Sequence, residues 1–278
     1  IGPDGAGKTT TVQMLVGVLP PESGTVSVLG NDVVSDAESI KADIGYMPQQ
    51  FSLYEDLTVW ENIRFFGMLY KLRLRPTDDW VDRLLSFSRL SPFLKRPAGK
   101  LSGGMKKKLA LCCALIHRPP LLFLDEPTTG VDPISRVELW EILYQLVEEG
   151  LVTIFFTSPY MDEAERAGRI ALLSAGRILT CDRPRAVRDS VAGVILEFKV
   201  DDLLKARDVL RKHFGEVRVN VWGIYLHLLV EKPKEDGAQA RKILKKEGIK
   251  LVSLREKHIS LEDAFIARIG AERGGEGE

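Results

Sequence analysis

The chain has 278 residues, 45% of them hydrophobic, with 39 basic side chains balanced by 39 acidic ones. That length suggests about two domains, and the charge balance argues against non-specific nucleic-acid binding, so no nucleic-acid partner is expected. No apolar run approaches the roughly 18 residues that cross a bilayer, and the first residues are no signal peptide, so membrane association is expected to go through a partner.

The chain opens on Gly2, Pro3, Asp4, Gly5, Ala6, Gly7, Lys8 and Thr9, a match to G-x-x-x-x-G-K-[ST]. Glycines there let consecutive backbone N–H groups curl around phosphate oxygens, while the Lys8 ammonium reaches the outer phosphates and the Thr9 hydroxyl suits Mg²⁺. A helix carrying Thr10 and running to Leu15 is expected next, its positive end toward the anion. Only Ile1 precedes the first glycine, so the strand this motif requires is expected to begin before the given sequence, which reads as a fragment.

Strands are expected at 25–29 and 44–47. Thr58 and Glu61 form a capping box that starts a helix to about residue 74, and a second helix is expected near 78–88. Ser102 suits the N-cap of a helix from the Gly103-Gly104 pair to about His117. Lys106, Lys107 and Lys108 read as a solvated, partly phosphate-facing face of it. Residues 121–124 form an apolar run suited to a buried parallel strand that ends at Asp125 and Glu126. Carboxylates at the C-terminal end of a central strand lie where open α/β sheets bind ligands. Asp125 can therefore hold Mg²⁺, and Glu126 can deprotonate an attacking water.

Asp132 reads as an N-cap with Pro133 at the first helical position, and Gly150 as the C-cap of that helix. Strands at 152–156 and 170–173 around a helix at 161–167 continue the alternation of a parallel α/β sheet, followed by a strand at 177–181 and a helix at 183–190. The pattern then changes to strand 194–200, helix 203–214, a hairpin of 217–221 and 224–230 across Trp222-Gly223, helix 238–247 and strand 250–255, a βαββαβ order. Cys112, Cys113 and Cys181 lack metal-ligand spacing and suit reduced thiols in the cytosol, while His117, His213, His227 and His258 are too scattered for a metal cluster.

The phosphate loop, the run Leu101-Ser102-Gly103-Gly104-Met105 and the Asp125-Glu126 strand, in that order, resemble the ATP-binding cassette (ABC) ATPases. The resemblance implies an α/β P-loop cassette over residues 1–190 with a helical subdomain at about 50–104. It also implies a small ferredoxin-like α+β domain at 193–269, of the kind that follows drug-exporter cassettes and ends in a short helix at Leu261-Glu262-Asp263-Ala264-Phe265. Residues 270–278 are expected to be a disordered tail or linker.

In this family two cassettes pair head to tail, so residues 101–105 would close over ATP held by a partner cassette, and Asp132 would touch that partner in the D-loop. Gln49 resembles the Q-loop glutamine that joins the Mg²⁺ shell, with Gln50 as its competitor. The aromatic that stacks on adenine would precede Ile1. Phe51, Leu53, Tyr54, Leu57 and Phe65 include the expected dock for an integral membrane permease. At the position where the family carries a switch histidine stands Pro159, which has neither N–H nor polar side chain. That departure predicts weak turnover at this chain's own site, as in tandem-cassette multidrug exporters. The implied function is ATP-driven transport from the cytoplasmic face of the membrane, and the rival is a cassette ATPase acting on ribosomes or DNA.

Overall fold

The computed structural model describes residues 1–50 and 52–275, which divide into two compact units, one from Gly2 to Pro159 and a second made of Ile1 with the described residues from Tyr160 onward. In the first unit the order is α1 (Lys8–Leu15), β1 (Ser27–Val28), β2 (Asn31–Asp32), α2 (Ala37–Asp43), β3 (Ile44–Met47), α3 (Val59–Leu69) and α4 (Asp79–Ser88). There follow α5 (Gly103–Leu115), β4 (Leu121–Asp125), α6 (Pro133–Glu148) and β5 (Thr153–Thr157). Strands β3, β4 and β5 form a parallel sheet with β4 in the centre, Met47 opposite Leu124 and Asp125 opposite Thr157.

Both faces of this sheet are covered, which is why β4 carries no polar residue before its end. Phe123 packs with Val12, Val16 and Ile40 on one side, and Leu122 and Leu124 pack with Leu109, Leu111 and Leu139 on the other. At Gly45 an added Cβ would lie 2.4 Å from the Ala114 carbonyl oxygen, so α5 can approach β3 this closely only over a glycine.

The capping box at α3 forms as expected: Thr58 Oγ1 accepts the Glu61 N–H at 3.2 Å, and Glu61 Oε2 accepts the Thr58 N–H at 2.8 Å. The helix nevertheless stops at Leu69 instead of residue 74. Lys71 turns left-handed at φ 59°, the Leu72 N–H closes onto the Gly67 carbonyl, and Leu74 folds back over Gly67.

The second unit contains α7 (Met161–Ala164), β6 (Ile170–Ser174), β7 (Arg177–Asp182), α8 (Pro184–Asp189), β8 (Val194–Val200), α9 (Leu203–Phe214), β9 (Val219–Trp222), β10 (Tyr225–Val230), α10 (Pro233–Lys246), β11 (Leu251–Lys257) and α11 (Leu261–Gly275). The expected parallel continuation at 170–173 is corrected: β6 pairs antiparallel with β7 around Ala175 and Gly176, both at positive φ as a tight hairpin turn requires. Ile1 bonds alongside β6, its backbone nitrogen donating to the Ala171 carbonyl and its own carbonyl accepting from Leu173.

Strands β8 to β11 form an antiparallel sheet in the order β11-β8-β10-β9, and α9 and α10 cover one face through Leu210, Ala240 and Leu244 over Phe198, Leu226 and Leu228. Its hairpin turns at Gly223-Ile224, one residue later than expected, because Trp222 pairs with Tyr225 and Gly223 takes φ 56°. Helix α11 extends to Gly275, into the stretch expected as a tail or linker, and 276–278 lie outside the described residues. Its Leu261, Ala264 and Phe265 share one apolar cluster with Met161, Ala164, Leu172 and Val187. That shared core places the division of contacts at Pro159 and not near residue 190.

Candidate active site

The first unit supplies every residue of the site. The loop before α1 turns through Gly5 at φ 76° and Gly7 at φ 99°, conformations that strain any side chain, and Gly7 is the N-cap of α1. The backbone N–H groups of Lys8, Thr9 and Thr10 head this helix, where it supplies no acceptors of its own. Lys8 is buried: its Nζ donates to the Pro3 carbonyl at 3.0 Å and pairs with Glu126 Oε1 at 3.1 Å. Asp4, on a side chain 94% exposed, lies farther off at 3.8 Å.

Strand β4 ends on the two carboxylates. Asp125 is fully buried, and its Oδ1 accepts the Thr157 hydroxyl at 2.6 Å, whereas its Oδ2 has no hydrogen-bond partner among the described residues. A buried carboxylate oxygen left without a donor fits a hard divalent cation, which takes oxygen ligands. Glu126 sits at φ 48°, an uncommon conformation for a residue with a Cβ. Its N–H reaches both the carbonyl and the hydroxyl of Thr157, so that one threonine positions both carboxylates. Glu126 Oε2 accepts from Gln49 Nε2 at 2.9 Å and from the Thr129 hydroxyl at 3.2 Å.

The structure thus brings Lys8, Gln49 and Glu126 together beside Asp125, and it chooses Gln49 over Gln50 as the glutamine in contact. Lys107 Nζ donates to the Gln49 carbonyl at 2.8 Å. Burial pushes the Lys107 pKa down against the upward pull of Asp125 and Glu126. The expected solvated lysine face is corrected: Lys108 is buried and pairs with Glu138, and Lys106 pairs with Glu55.

Residues 101–105 lie apart from this cluster. Ser102 Oγ caps α5 by accepting the Met105 N–H at 3.3 Å, and Asp132 Oδ1 caps α6 by accepting the Ser135 N–H at 3.0 Å. Leu101 is buried and Ser102 and Gly103 are exposed. Among the described residues no hydrogen bond or ion pair joins Ser102 or Met105 to Lys8, Asp125 or Glu126. Gly104 faces α6, where an added Cβ would stand 2.2 Å from Ser135 Oγ. Ser158, before Pro159, is fully buried, and its carbonyl accepts the Gly2 N–H at 3.4 Å. Of the expected apolar dock, Leu53 belongs to the core, Tyr54 is half exposed with its ring edge-on to Phe65, and Phe51 lies outside the described residues. Among the described residues no helix is long and apolar enough to cross a membrane.

Residues 1–129 match the profile described as ABC transporter. Over 98% of its length the chain is 35% identical to the Nod factor export ATP-binding protein I of Sinorhizobium fredii, covering 77% of that protein. The chain belongs to the ABC transporter family of ATP-binding proteins. This ABC protein is also 39% identical, over 97% of its length, to the probable multidrug ABC transporter ATP-binding protein YbhF of Escherichia coli K12. It spans about half of that relative, 46%. A solved ATP-binding subunit of an ABC transporter superposes with a TM-score of 0.61 at 30% identity, covering 68% of this chain and 79% of the other. A dimeric ATP-binding cassette solved in a post-hydrolysis state with ADP and Pi gives 0.58 at 26% identity, covering 66% and 82%. The P-loop α/β cassette fold expected from the sequence is therefore shared with these solved proteins.

Proposed function

We propose that this ABC protein is the ATP-hydrolysing subunit of an exporter, pairing head to tail with a second cassette and driving an integral membrane permease from the cytoplasmic face. In this reading residues 1–190 work as the nucleotide-binding domain, 50–104 as its helical subdomain and 193–269 as a ferredoxin-like accessory domain. The observation that carries the proposal is the meeting of buried Lys8 and Glu126 with the exposed Gln49, beside the donorless oxygen of Asp125. The names of the relatives, a multidrug transporter and a Nod factor exporter, favour export over the ribosome- or DNA-acting alternative.

The loop from Gly2 to Thr10 would hold the phosphates. Asp125, the Thr9 hydroxyl and the Gln49 amide oxygen suit Mg²⁺, which would neutralise phosphate charge. An arriving γ-phosphate competes with Glu126 for the Lys8 ammonium, so nucleotide binding frees the carboxylate. Glu126 then takes a proton from the attacking water while the water oxygen bonds to the γ-phosphorus, the bond to the β-phosphate oxygen breaks, and ADP and phosphate leave. The exposed Ser102 and Gly103 would close over nucleotide on the partner, with Asp132 at the same interface.

Pro159 withholds a charge-assisted hydrogen bond worth about 1.5–3 kcal/mol, equivalent to about 10- to 100-fold in rate. Turnover at this chain's own composite site is accordingly slow. Single-turnover hydrolysis by Pro159→His tests this point: turnover should rise, and an unchanged rate would remove the switch reading. Light scattering with ATP and Mg²⁺ tests the pairing, and a particle that stays single would overturn the transport-motor proposal. Recovery with ribosomes or DNA in place of a multi-spanning membrane protein would favour the alternative.

A further inference from the structure

In the second unit the sheet face opposite α9 and α10 carries a row of charges across three strands. Glu197 on β8 stands directly opposite His227 on β10 and Arg255 on β11. His227 and Glu197 are buried, as is Asp263 in the first turn of α11. His227 Nε2 lies 3.0 Å from Glu197 Oε2, and His227 Nδ1 lies 3.2 Å from Asp263 Oδ1. A carboxylate only accepts, so both contacts are hydrogen bonds only when both ring nitrogens carry a proton. A neutral ring turns a lone pair onto one of the two carboxylates.

Asp263 divides its oxygens between two tasks. Oδ2 accepts the Ser260 N–H at 3.0 Å and the Ser260 hydroxyl at 2.6 Å, while Ser260 Oγ accepts the Asp263 N–H at 3.1 Å. That reciprocal pair is a capping box that starts α11. Oδ1 ties the same turn to the sheet through His227. Leu261, two residues before Asp263, and Ala264, one residue after it, pack with Met161 and Ala164 of α7, which begins two residues after Pro159 in the chain.

We propose that Glu197, His227 and Asp263 form a proton-operated latch that holds α11, and through it α7, so that His227 and Asp263 are positioning residues for ATP turnover. The link to turnover rests on the function proposed above; the latch itself does not.

Burial pushes Glu197 up, but hydrogen bonds from His227, Arg255 and Lys257 hold its pKa at about 2. Burial likewise raises Asp263, and His227 with Ser260 outweighs it to a net lowering. Arg255 and Lys257 both pair with Glu197. Glu262, next to Asp263, is raised by burial and by the charges of Asp263 and of Asp162 on α7. Histidine is the side chain whose ordinary range falls between about pH 5 and 8. The latch is closed when His227 is protonated and opens as pH rises.

Hydrogen–deuterium exchange of residues 261–275 in the full chain, corrected for intrinsic rates, reads the latch without reference to ATPase activity. Between about pH 5.5 and 8.5 protection should fall about tenfold, the equivalent of one charge-assisted hydrogen bond. Asp263→Asn keeps the capping acceptor and offers an amide donor to a neutral ring, so its protection should no longer depend on pH. His227→Gln should show low protection across the range. A wild type whose protection does not change with pH, or an Asp263→Asn variant that keeps the wild-type dependence, overturns the latch. ATP turnover should follow the same pH step in the wild type and lose it in Asp263→Asn. Turnover without that step refutes the coupling alone, and a protein with no ATPase activity refutes the proposed function while exchange still decides the latch.

Discussion

Replacing Gly104 by alanine separates the packing role of this glycine from the nucleotide-facing role proposed above for Gly103. The new Cβ would lie 2.2 Å from Ser135 Oγ and 2.4 Å from Ser135 Cβ, and the second of these atoms cannot swing away. Helices α5 and α6 must then move apart, an overpacking cost of about 1–3 kcal/mol. A change of that size lowers the melting temperature by roughly 2–4 °C per kcal/mol in a domain of 150–250 residues. Gly103 is different: its nearest neighbour is the Gly130 carbonyl oxygen at 3.7 Å, an ordinary contact, so alanine fits and stability should change little. Urea unfolding followed by the fluorescence of Trp140, which lies on α6, reports the effect where it arises. Gly104→Ala combined with Ser135→Gly should recover the loss to within the roughly 1 kcal/mol that a helical glycine costs. Equal unfolding midpoints for the wild type and Gly104→Ala, or equal destabilisation by Gly103→Ala, would refute the packing explanation. Gly103→Ala should instead lower ATPase activity with the fold intact.

Glu126→Gln should reduce single-turnover phosphate release by roughly 10²- to 10⁴-fold while ATP binding persists; a loss of less than twofold would exclude Glu126 as the base. Thr157→Val removes the hydroxyl that donates to Asp125 and accepts from Glu126, and should destabilise by about 1–3 kcal/mol as well as raise the Mg²⁺ concentration that turnover requires. Denaturant titration and a Mg²⁺ dependence curve check the two effects. Glu197 has a folded pKa held at about 2, below its ordinary 4.5, so its stabilisation is full above about pH 4.5 and is lost as pH falls toward 2. The shift corresponds to at most about 3 kcal/mol, reduced by solvent because Arg255 and Lys257 are 61% and 47% exposed. Acid unfolding followed at Trp222 should therefore be shallower in Glu197→Gln, and an identical acid limb would contradict that assignment.

The phosphate loop, the Asp125-Glu126 strand end and the Thr58-Glu61 capping box were legible because each works through residues adjacent or nearly adjacent in the chain. Thr157 was not, because it matters only through its register opposite Asp125. A strand alignment pairing 121–125 with 153–157 would have exposed it. The end of α3 escaped periodicity because Leu74 folds back on Gly67, a tertiary contact with no local signature. Lys108 looked like surface and is buried against Glu138, 30 positions away. His227 meets Glu197 and Asp263 across separations of 30 and 36 residues, so four scattered histidines concealed one that sits between two acids.

The left-handed backbone at Glu126 has a consequence for how this protein can change. A side chain at φ 48° costs on the order of 1 kcal/mol that glycine would not incur. On the role proposed above for Glu126, selection for robustness alone would drift toward a sturdier and idle molecule, and an acid kept at this turn holds the working form slightly short of its greatest durability.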